Sequence, residues 1–317
     1  MKTMIIKENG GVEKFQLAEI EKPGIKPDEV LVKVKAISVN PVDAIARQNE
    51  SSLRGILDPS ENQKFFILGW DISGTVAETG PEVKDIKVND DVFGMVNFKG
   101  QGKAYAEFVA APDDHLAIKP ENISHEEAAA ATLAALTAWQ ALVTNAKVKE
   151  GEKVLIHAAS GGVGHYAVQI AKYFGAYVIG TASSRNKEFV LDLGADEFID
   201  YTSEKFEKKI NDADVVLDSI PGDHVLRSIE AAKEGGRVIS IKGSLSEEAE
   251  EKAKTKDIYL QRILVESNGN DMKHIADLME KGAIQSHIFK KYKFEELPEA
   301  HKQIETGRTR GKVVVMV

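Results

Sequence analysis

A chain of 317 residues, 43% hydrophobic and 29% charged, has the length for two domains of ordinary size and the composition of a globular protein. Its net charge of −9 argues against nucleic acid as a partner, because a phosphate-binding surface needs a basic excess. It contains no cysteine, which excludes disulfides, thiolate chemistry and every Cys-ligated zinc site.

The opening segment MKTMIIKENGG holds too short an apolar stretch for a signal peptide, so the expected compartment is the cytoplasm. Residues 29–37 (EVLVKVKAI) alternate apolar and charged side chains with period two, the pattern of a half-buried strand. Residues 71–76 and 91–93 read as further strands, and Gly69, Gly74, Gly80-Pro81 and Gly94 mark turns between them. The first third is therefore expected to form a small, irregular barrel. Ser124 followed by Glu127 makes a capping box that opens an alanine-rich helix. The run 128–143 is broken by Thr132, Thr137 and Gln140 and falls short of the about 20 strongly apolar residues of a membrane span. It is expected as a buried helix, with no membrane contact.

Beyond it, strands at 153–157, 177–181, 214–217 and 237–241 alternate with helices at 162–174 and 187–193. Alternating βαβ units predict a parallel, doubly wound sheet with helices on both faces. A helix at 272–281 and a strand at 312–317 follow, a tail able to return to the first domain.

The strongest chemical signal is KVLIHAASGGVGHYAVQIAK. A buried strand runs into Ala159-Ser160-Gly161-Gly162-Val163-Gly164 and directly into a helix. Gly161 is expected to let the backbone approach a pyrophosphate, and Gly164 to let helix and strand pack closely. The helix N-terminus then offers unpaired N–H groups and partial positive charge to the phosphates. Alone, such a turn occurs in many α/β proteins; here strand, turn, helix and second strand fall in order. An NAD site usually places Asp or Glu after the second strand, about 20 residues on. That slot is Ala182, followed by Ser183, Ser184 and Arg185, which suit the 2′-phosphate of NADPH. A second reading makes Ser183 or Ser184 a helix cap and Arg185 a solvated charge.

Further markers are Asn40-Pro41-Val42-Asp43, Gly69-Trp70-Asp71-Ile72-Ser73-Gly74-Thr75-Val76, Ala104-Tyr105-Ala106-Glu107-Phe108 and Leu136-Thr137-Ala138-Trp139. Leu193-Gly194-Ala195-Asp196 and Gly307-Arg308-Thr309-Arg310-Gly311-Lys312 complete the series. With the AASGGVG turn, these residues resemble the medium-chain dehydrogenase/reductase superfamily over nearly the whole chain. The resemblance is to its zinc-independent quinone oxidoreductase branch, and within it to the enone and alkenal reductases. It implies an α/β fold: a GroES-like β-barrel catalytic domain (residues 1–123 and 266–317), a Rossmann domain (residues 124–265), and a cleft between them.

Zinc-dependent members use Cys, His and Cys; those slots are Asn40, Trp70 and Leu133, and no metal is expected. By position, the resemblance places Thr137 and Asn40 at the nicotinamide side, with Ser160, Gly161, Gly162 and Val163 at the phosphates. Ser183, Ser184, Arg185 and Tyr201 surround the 2′-phosphate, Ser219 and Ile220 line the adenosine side, and Ser240, Ile241 and Lys242 lie beneath the nicotinamide half. Arg310 and Lys312 are expected to reach the phosphates, or else to be solvated charges. Residues 48–64 read as a polar, mobile segment over the pocket mouth. The resemblance also implies a homodimer, through the apolar segment 258–265, which is equally readable as an internal strand. Where relatives often carry Tyr or Lys near the substrate, this chain has Ile45.

The expected reaction is metal-free hydride transfer from NADPH to a quinone or α,β-unsaturated carbonyl. Asn40 is the first candidate donor to the developing oxyanion and Tyr105 the second. Asp43 is expected to orient a loop. Two alternatives stay open: a metal-free alcohol dehydrogenase, and an NADPH-binding structural or regulatory protein without turnover.

Overall fold

A computed structural model describes residues 1–59 and 63–317. The chain divides into two compact units, Met1–Leu136 with Glu266–Val317, and Thr137–Val265. The division falls inside the alanine-rich helix rather than ahead of it, because the first turns of that helix belong to the core of unit 1. There Ala129 and Ala130 pack with Ala36 and Val314.

The first unit opens with β1 (Lys2–Ile5), β2 (Gln16–Glu19), β3 (Glu29–Val39), α1 (Pro41–Gln48), α2 (Glu50–Leu57), β4 (Asp71–Thr79), β5 (Asp91–Met95), β6 (Phe108–Pro112), β7 (Leu116–Ile118) and all but the last three residues of α3 (His125–Trp139). The second carries β8 (Lys153–Ile156), α4 (Gly162–Tyr173), β9 (Tyr177–Ala182), α5 (Lys187–Asp192), β10 (Glu197–Asp200), α6 (Phe206–Lys209), β11 (Ala213–Asp218), α7 (His224–Ala231), β12 (Ala232–Ser240), α8 (Glu247–Thr255) and β13 (Tyr259–Arg262). The chain then returns to unit 1 with α9 (Gly269–Glu280), β14 (Ile288–Lys293), α10 (Leu297–Glu305) and β15 (Lys312–Met316).

Unit 1 is organised by β3. One edge pairs with β4, while the other pairs with β6 through residues 29–33 and with β15 through residues 36–39. The sheet runs β14-β15-β3-β4-β5-β7, with β6 beside β3, and no ladder joins β7 to β14 among the described residues. The barrel is thus open at that seam. Period-two alternation suggested one wet face for β3, but only Lys33 and Lys35 are exposed. Both ends of the strand are covered, and its apolar residues lie in the core.

The capping box at α3 is formed: Ser124 N and Oγ donate to Glu127 at 2.8 and 2.7 Å, and Glu127 N donates to Ser124 Oγ at 3.2 Å. Ala128 to Ala131 are wholly buried, as expected of a helix apolar on all sides. Among the described residues, no helix is long and apolar enough to cross a membrane. The helix runs on into a π-helical turn, Gln140–Asn145, which no sequence pattern announced.

Within residues 48–64, expected to be polar and mobile, Glu50–Leu57 form the helix α2. Asn49 caps α2 by accepting from Ser52 N at 3.0 Å, and Leu53 and Leu57 anchor the helix in the core. Residues 60–62 of that segment lie outside the described residues.

Unit 2 is a six-stranded parallel sheet in the order β10-β9-β8-β11-β12-β13. Its strands are short apolar runs because helices cover both faces; Val154, Leu155, Ile156, Val215, Val216 and Leu217 are fully buried. Each such side chain contributes about 1.5–3 kcal/mol on leaving water. The strand order reverses at β8 and β11, so ligands are expected beyond the carboxyl ends of the strands at that point. Segment 258–265 holds the edge strand β13, paired in parallel with β12.

Candidate active site

The carboxyl end of β8 passes through His157 into the phosphate-type turn. Ala158 has φ 49°, a left-handed conformation strained for any residue with a Cβ. It closes the turn, with Gly161 N donating to Ala158 O at 2.8 Å. A Cβ on Gly164 would lie 2.2 Å from Ala158 O, whereas one on Gly161 would lie 3.2 Å away. Gly164 is therefore the position closed to side chains, and Gly161 is only tight. No side chain caps α4, and its first turn holds no acidic residue. The amides of Gly162, Val163 and Gly164 thus head the helix without an intrahelical acceptor, a cradle for an anionic pyrophosphate.

Because β8 to β12 are parallel, their carboxyl ends share one sheet edge. Ser160 to Val163 follow β8, Ser183 to Arg185 follow β9, Tyr201 follows β10, Ser219 and Ile220 follow β11, and Ser240 to Lys242 span the end of β12. All the unit 2 residues singled out in the sequence, apart from Thr137, meet on this edge. Ser183 is half-buried, Ser184 and Arg185 are exposed, and Tyr201 is 59% exposed. Thr137 lies in the last turn of α3 and is nearly buried. Sequence reasoning missed Asp200, which pairs in register with Ala182. Its carboxylate is occupied by Thr202, accepting from N at 2.9 Å and from Oγ1 at 2.7 Å. These bonds, with a further one from Ser184, hold its pKa below the usual carboxylate range.

In unit 1, strand register assembles a buried polar cluster. Val313 pairs with Val39, and Ser38 with Asp71, so Lys312, Asn40 and Asp71 sit together at one end of three strands. Asn40 Nδ2 donates to Asp71 Oδ2 at 2.8 Å, and Lys312 Nζ donates to Asn40 Oδ1 at 2.5 Å. These partners, one acceptor-only and one donor-only, fix the orientation of the amide. Leu133 N donates to Asp71 Oδ1 at 3.0 Å. Asn40 N donates to Asp43 Oδ2 at 2.5 Å, so Asp43 braces the start of α1. Burial pushes the Asp43 carboxyl up to about 8, aided by the nearby Asp71 charge. Burial also raises Asp71 against the pull of Lys312, and lowers Lys312 against the pull of Asp71.

Two expectations are corrected here. Lys312 is neither a solvated tail charge nor free for phosphates: it is 4% exposed and its ammonium is engaged by Asn40. Tyr105 does not offer its hydroxyl to a ligand. It is completely buried, with its OH 2.9 Å from His301 Nε2, and burial beside Asp43 raises its pKa well above the ordinary value. Arg310 is half-buried and Ile45 is 46% exposed.

The slots Asn40, Trp70 and Leu133 do not suit zinc. They offer neither thiolate nor imidazole, Trp70 Nε1 donates to Gly100 O at 2.8 Å, and the Lys312 ammonium beside Asn40 would repel a dication. Among the described residues, no group of three His, Cys, Asp or Glu side chains is arranged to hold a metal.

Comparison with known proteins agrees with this architecture. Residues 26–121 match the alcohol dehydrogenase GroES-like domain, and residues 193–315 match the family described as zinc-binding dehydrogenase. The chain is 33% identical to the 2-methylene-furan-3-one reductase of Solanum lycopersicum, and 34% identical to the chloroplastic NADPH-dependent alkenal/one oxidoreductase of Arabidopsis thaliana. Each alignment covers 99% of this chain and 79% of the relative. The quinone oxidoreductase of Coxiella burnetii has the same fold, with a TM-score of 0.92 and 35% identity over 100% of this chain and 99% of that one. The chain belongs to the medium-chain dehydrogenase/reductase superfamily, in the branch of the quinone oxidoreductases and alkenal reductases.

Proposed function

We propose that this protein is an NADPH-dependent, metal-free oxidoreductase that passes hydride to a quinone or an α,β-unsaturated carbonyl. The observation that carries the reading is the uncapped, acid-free N-terminus of α4, with Ala182 and two serines where an NAD site would present a carboxylate. Its family membership carries the reaction class. Ser160 to Val163 hold the pyrophosphate, and Ser183, Ser184, Arg185 and Tyr201 receive the 2′-phosphate end. Ser219, Ile220 and Ser240 to Lys242 complete the binding edge, with Thr137 and Arg310 as further contacts. Bound there, the reduced dinucleotide supplies the hydride.

Hydride addition to the β-carbon of an enone builds negative charge on its oxygen, where an oriented donor accelerates the step. Asn40 is the proposed donor. One N–H is committed to Asp71, and the second remains for the acceptor or the nicotinamide ribose. Lys312, bonded to Asn40 Oδ1, polarises the amide and strengthens that donor. Solvent supplies the proton to the α-carbon, since Tyr105 is withdrawn behind His301.

The acceptor is a small molecule, and the assembly is proposed to be a homodimer through β13. This edge strand leaves Tyr259 52% and the adjoining Leu264 43% exposed. The cytoplasm is proposed as the compartment; cell fractionation is its test.

Loss of NADPH absorbance in the presence of a quinone or an enone, compared with NADH, tests the function. Oxidation of NADPH well ahead of NADH supports it, and the faster acceptor assigns the substrate class. Binding of NADPH without turnover on any acceptor instead favours the non-catalytic reading, to which the withdrawn Tyr105 and the apolar Ile45 lend support.

A further inference from the structure

Behind the cofactor edge of unit 2 lies a buried polar chain that direct cofactor contact does not explain. His157 is 1% exposed, and Asp218 and Ser228 are fully buried. His157 Nδ1 lies 3.1 Å from Thr181 Oγ1, and His157 Nε2 lies 3.2 Å from Ser228 Oγ. Ser228 Oγ donates to Asp218 Oδ2 at 2.8 Å. Having given its only hydrogen to the carboxylate, Ser228 must accept from His157 Nε2–H. Burial keeps the imidazole neutral, so Nδ1 accepts from Thr181 Oγ1 and the four residues form a one-directional chain from Thr181 through His157 and Ser228 to Asp218. Burial, with the neighbouring His224, pushes His157 down to about 3, in keeping with that neutral form.

Three of the four links touch different segments of the cofactor edge. His157 directly precedes the strained Ala158 of the phosphate turn, and its carbonyl accepts from Ser219 Oγ at 3.0 Å. Thr181 immediately precedes Ala182 and Ser183, and its carbonyl accepts from Ala159 N at 2.9 Å. Asp218 Oδ1 accepts from Ile220 N at 2.9 Å, and the Asp218 carbonyl accepts from Ile241 N at 2.9 Å. The phosphate turn, the end of β9, the loop after β11 and the end of β12 are all tied to this one chain. Hydrogen bonds inside a dry core polarise one another and hold geometry more tightly than isolated pairs.

We propose that the chain Thr181–His157–Ser228–Asp218 is a positioning device that sets the spacing between the pyrophosphate turn and the 2′-phosphate end of β9, and thereby the preference for NADPH over NADH. The inference rests on the cofactor reading above. NADPH must meet both ends at once, whereas NADH has no 2′-phosphate to be misplaced; an error in spacing therefore weakens NADPH selectively.

The test is the dissociation constant of each reduced dinucleotide, read from nicotinamide fluorescence without any acceptor. Thr181→Val keeps the shape and strand preference while deleting the hydroxyl, and Ser228→Ala cuts the chain at its centre. Each variant is expected to bind NADPH about tenfold and NADH about twofold more weakly, so that the ratio narrows about fivefold, the size of one lost hydrogen bond in a buried network. Thr181→Ser, which keeps the hydroxyl, is expected to restore the wild-type ratio. Equal weakening of both dinucleotides, or no change in either, overturns the proposal. Wild-type protein that binds NADPH selectively but fails to oxidise it with any quinone or enone supplied sinks the oxidoreductase reading and leaves this inference standing. Wild-type protein with no preference for NADPH overturns both the cofactor reading and the inference.

Discussion

Replacing Lys312 by Met separates a structural cation from a phosphate ligand. The ammonium is 4% exposed and lies 2.5 Å from Asn40 Oδ1 and 3.7 Å from Asp71 Oδ2, while Asp71 is fully buried. Removing one member of a buried charge pair leaves the other uncompensated, a loss of about 3–5 kcal/mol. At about 2–4 °C per kcal/mol for a unit of this size, unit 1 is expected to melt roughly 6–20 °C lower. The loss depends on pH with a definite sign. Without Lys312 the folded-state pKa of Asp71 rises further above its unfolded value. The penalty is then full above the folded value and fades as the pH falls toward the unfolded value, about 3.9. Adding Asp71→Asn to Lys312→Met removes the stranded charge and is expected to recover at least half of the lost stability. Differential scanning calorimetry at pH 5 and pH 8 measures all of this. NADPH affinity, read in parallel at a temperature where both proteins are folded, is expected to change little. A melting temperature within 2 °C of wild type, together with a large loss of NADPH affinity, would refute the reasoning and return Lys312 to the phosphates.

Ala158→Gly relieves the left-handed strain at φ 49° and is expected to stabilise unit 2 by up to about 1 kcal/mol after the added freedom of the unfolded chain is subtracted; urea unfolding reads the change. Lys256 Nζ donates to three carbonyls at the end of α7, Ile229 O at 3.0 Å, Glu230 O at 2.7 Å and Ala232 O at 2.6 Å. Lys256→Met is expected to cost about 1–2 kcal/mol and to raise hydrogen exchange first in α7. Burial pushes His157 and His301 down to about 3, so the unfolded state binds more protons than the folded state from about pH 6.5 down to that value. Stability is expected to fall across that window on acidification, and a flat denaturation midpoint between pH 7 and pH 4 would contradict it. Asp43, pushed up to about 8, acts with the opposite sign. The folded state keeps a proton that the unfolded state loses near 4, so stability falls as the pH rises toward 8, and Asp43→Asn is expected to flatten that slope.

Local chemistry made much of this protein legible before any coordinates. The strand–turn–helix around Gly161 and Gly164, the capping box of Ser124 and Glu127, and the missing acid at Ala182 are set by neighbours within a few residues, where backbone freedom, hydrogen-bonding capacity and charge are written directly in residue type. Short strands such as β6 and β7 were not legible, because a run of three to five residues becomes a strand only when a distant partner offers its ladder. Residues 48–64 read as polar and mobile for a related reason: only the core shows that Leu53 and Leu57 have somewhere to bury. Tertiary structure alone decided the fates of Lys312 and Tyr105. Both looked available for a ligand, yet strand register brings Lys312 to Asn40 and Asp71 across more than two hundred residues of chain, and packing carries the Tyr105 hydroxyl to His301. It also gathered Thr181, His157, Ser228 and Asp218, residues with no shared motif, into one hydrogen-bonded chain. Sequence determines what each side chain is able to donate, accept or bury; which partner satisfies it is decided by long-range pairing that residue type does not encode.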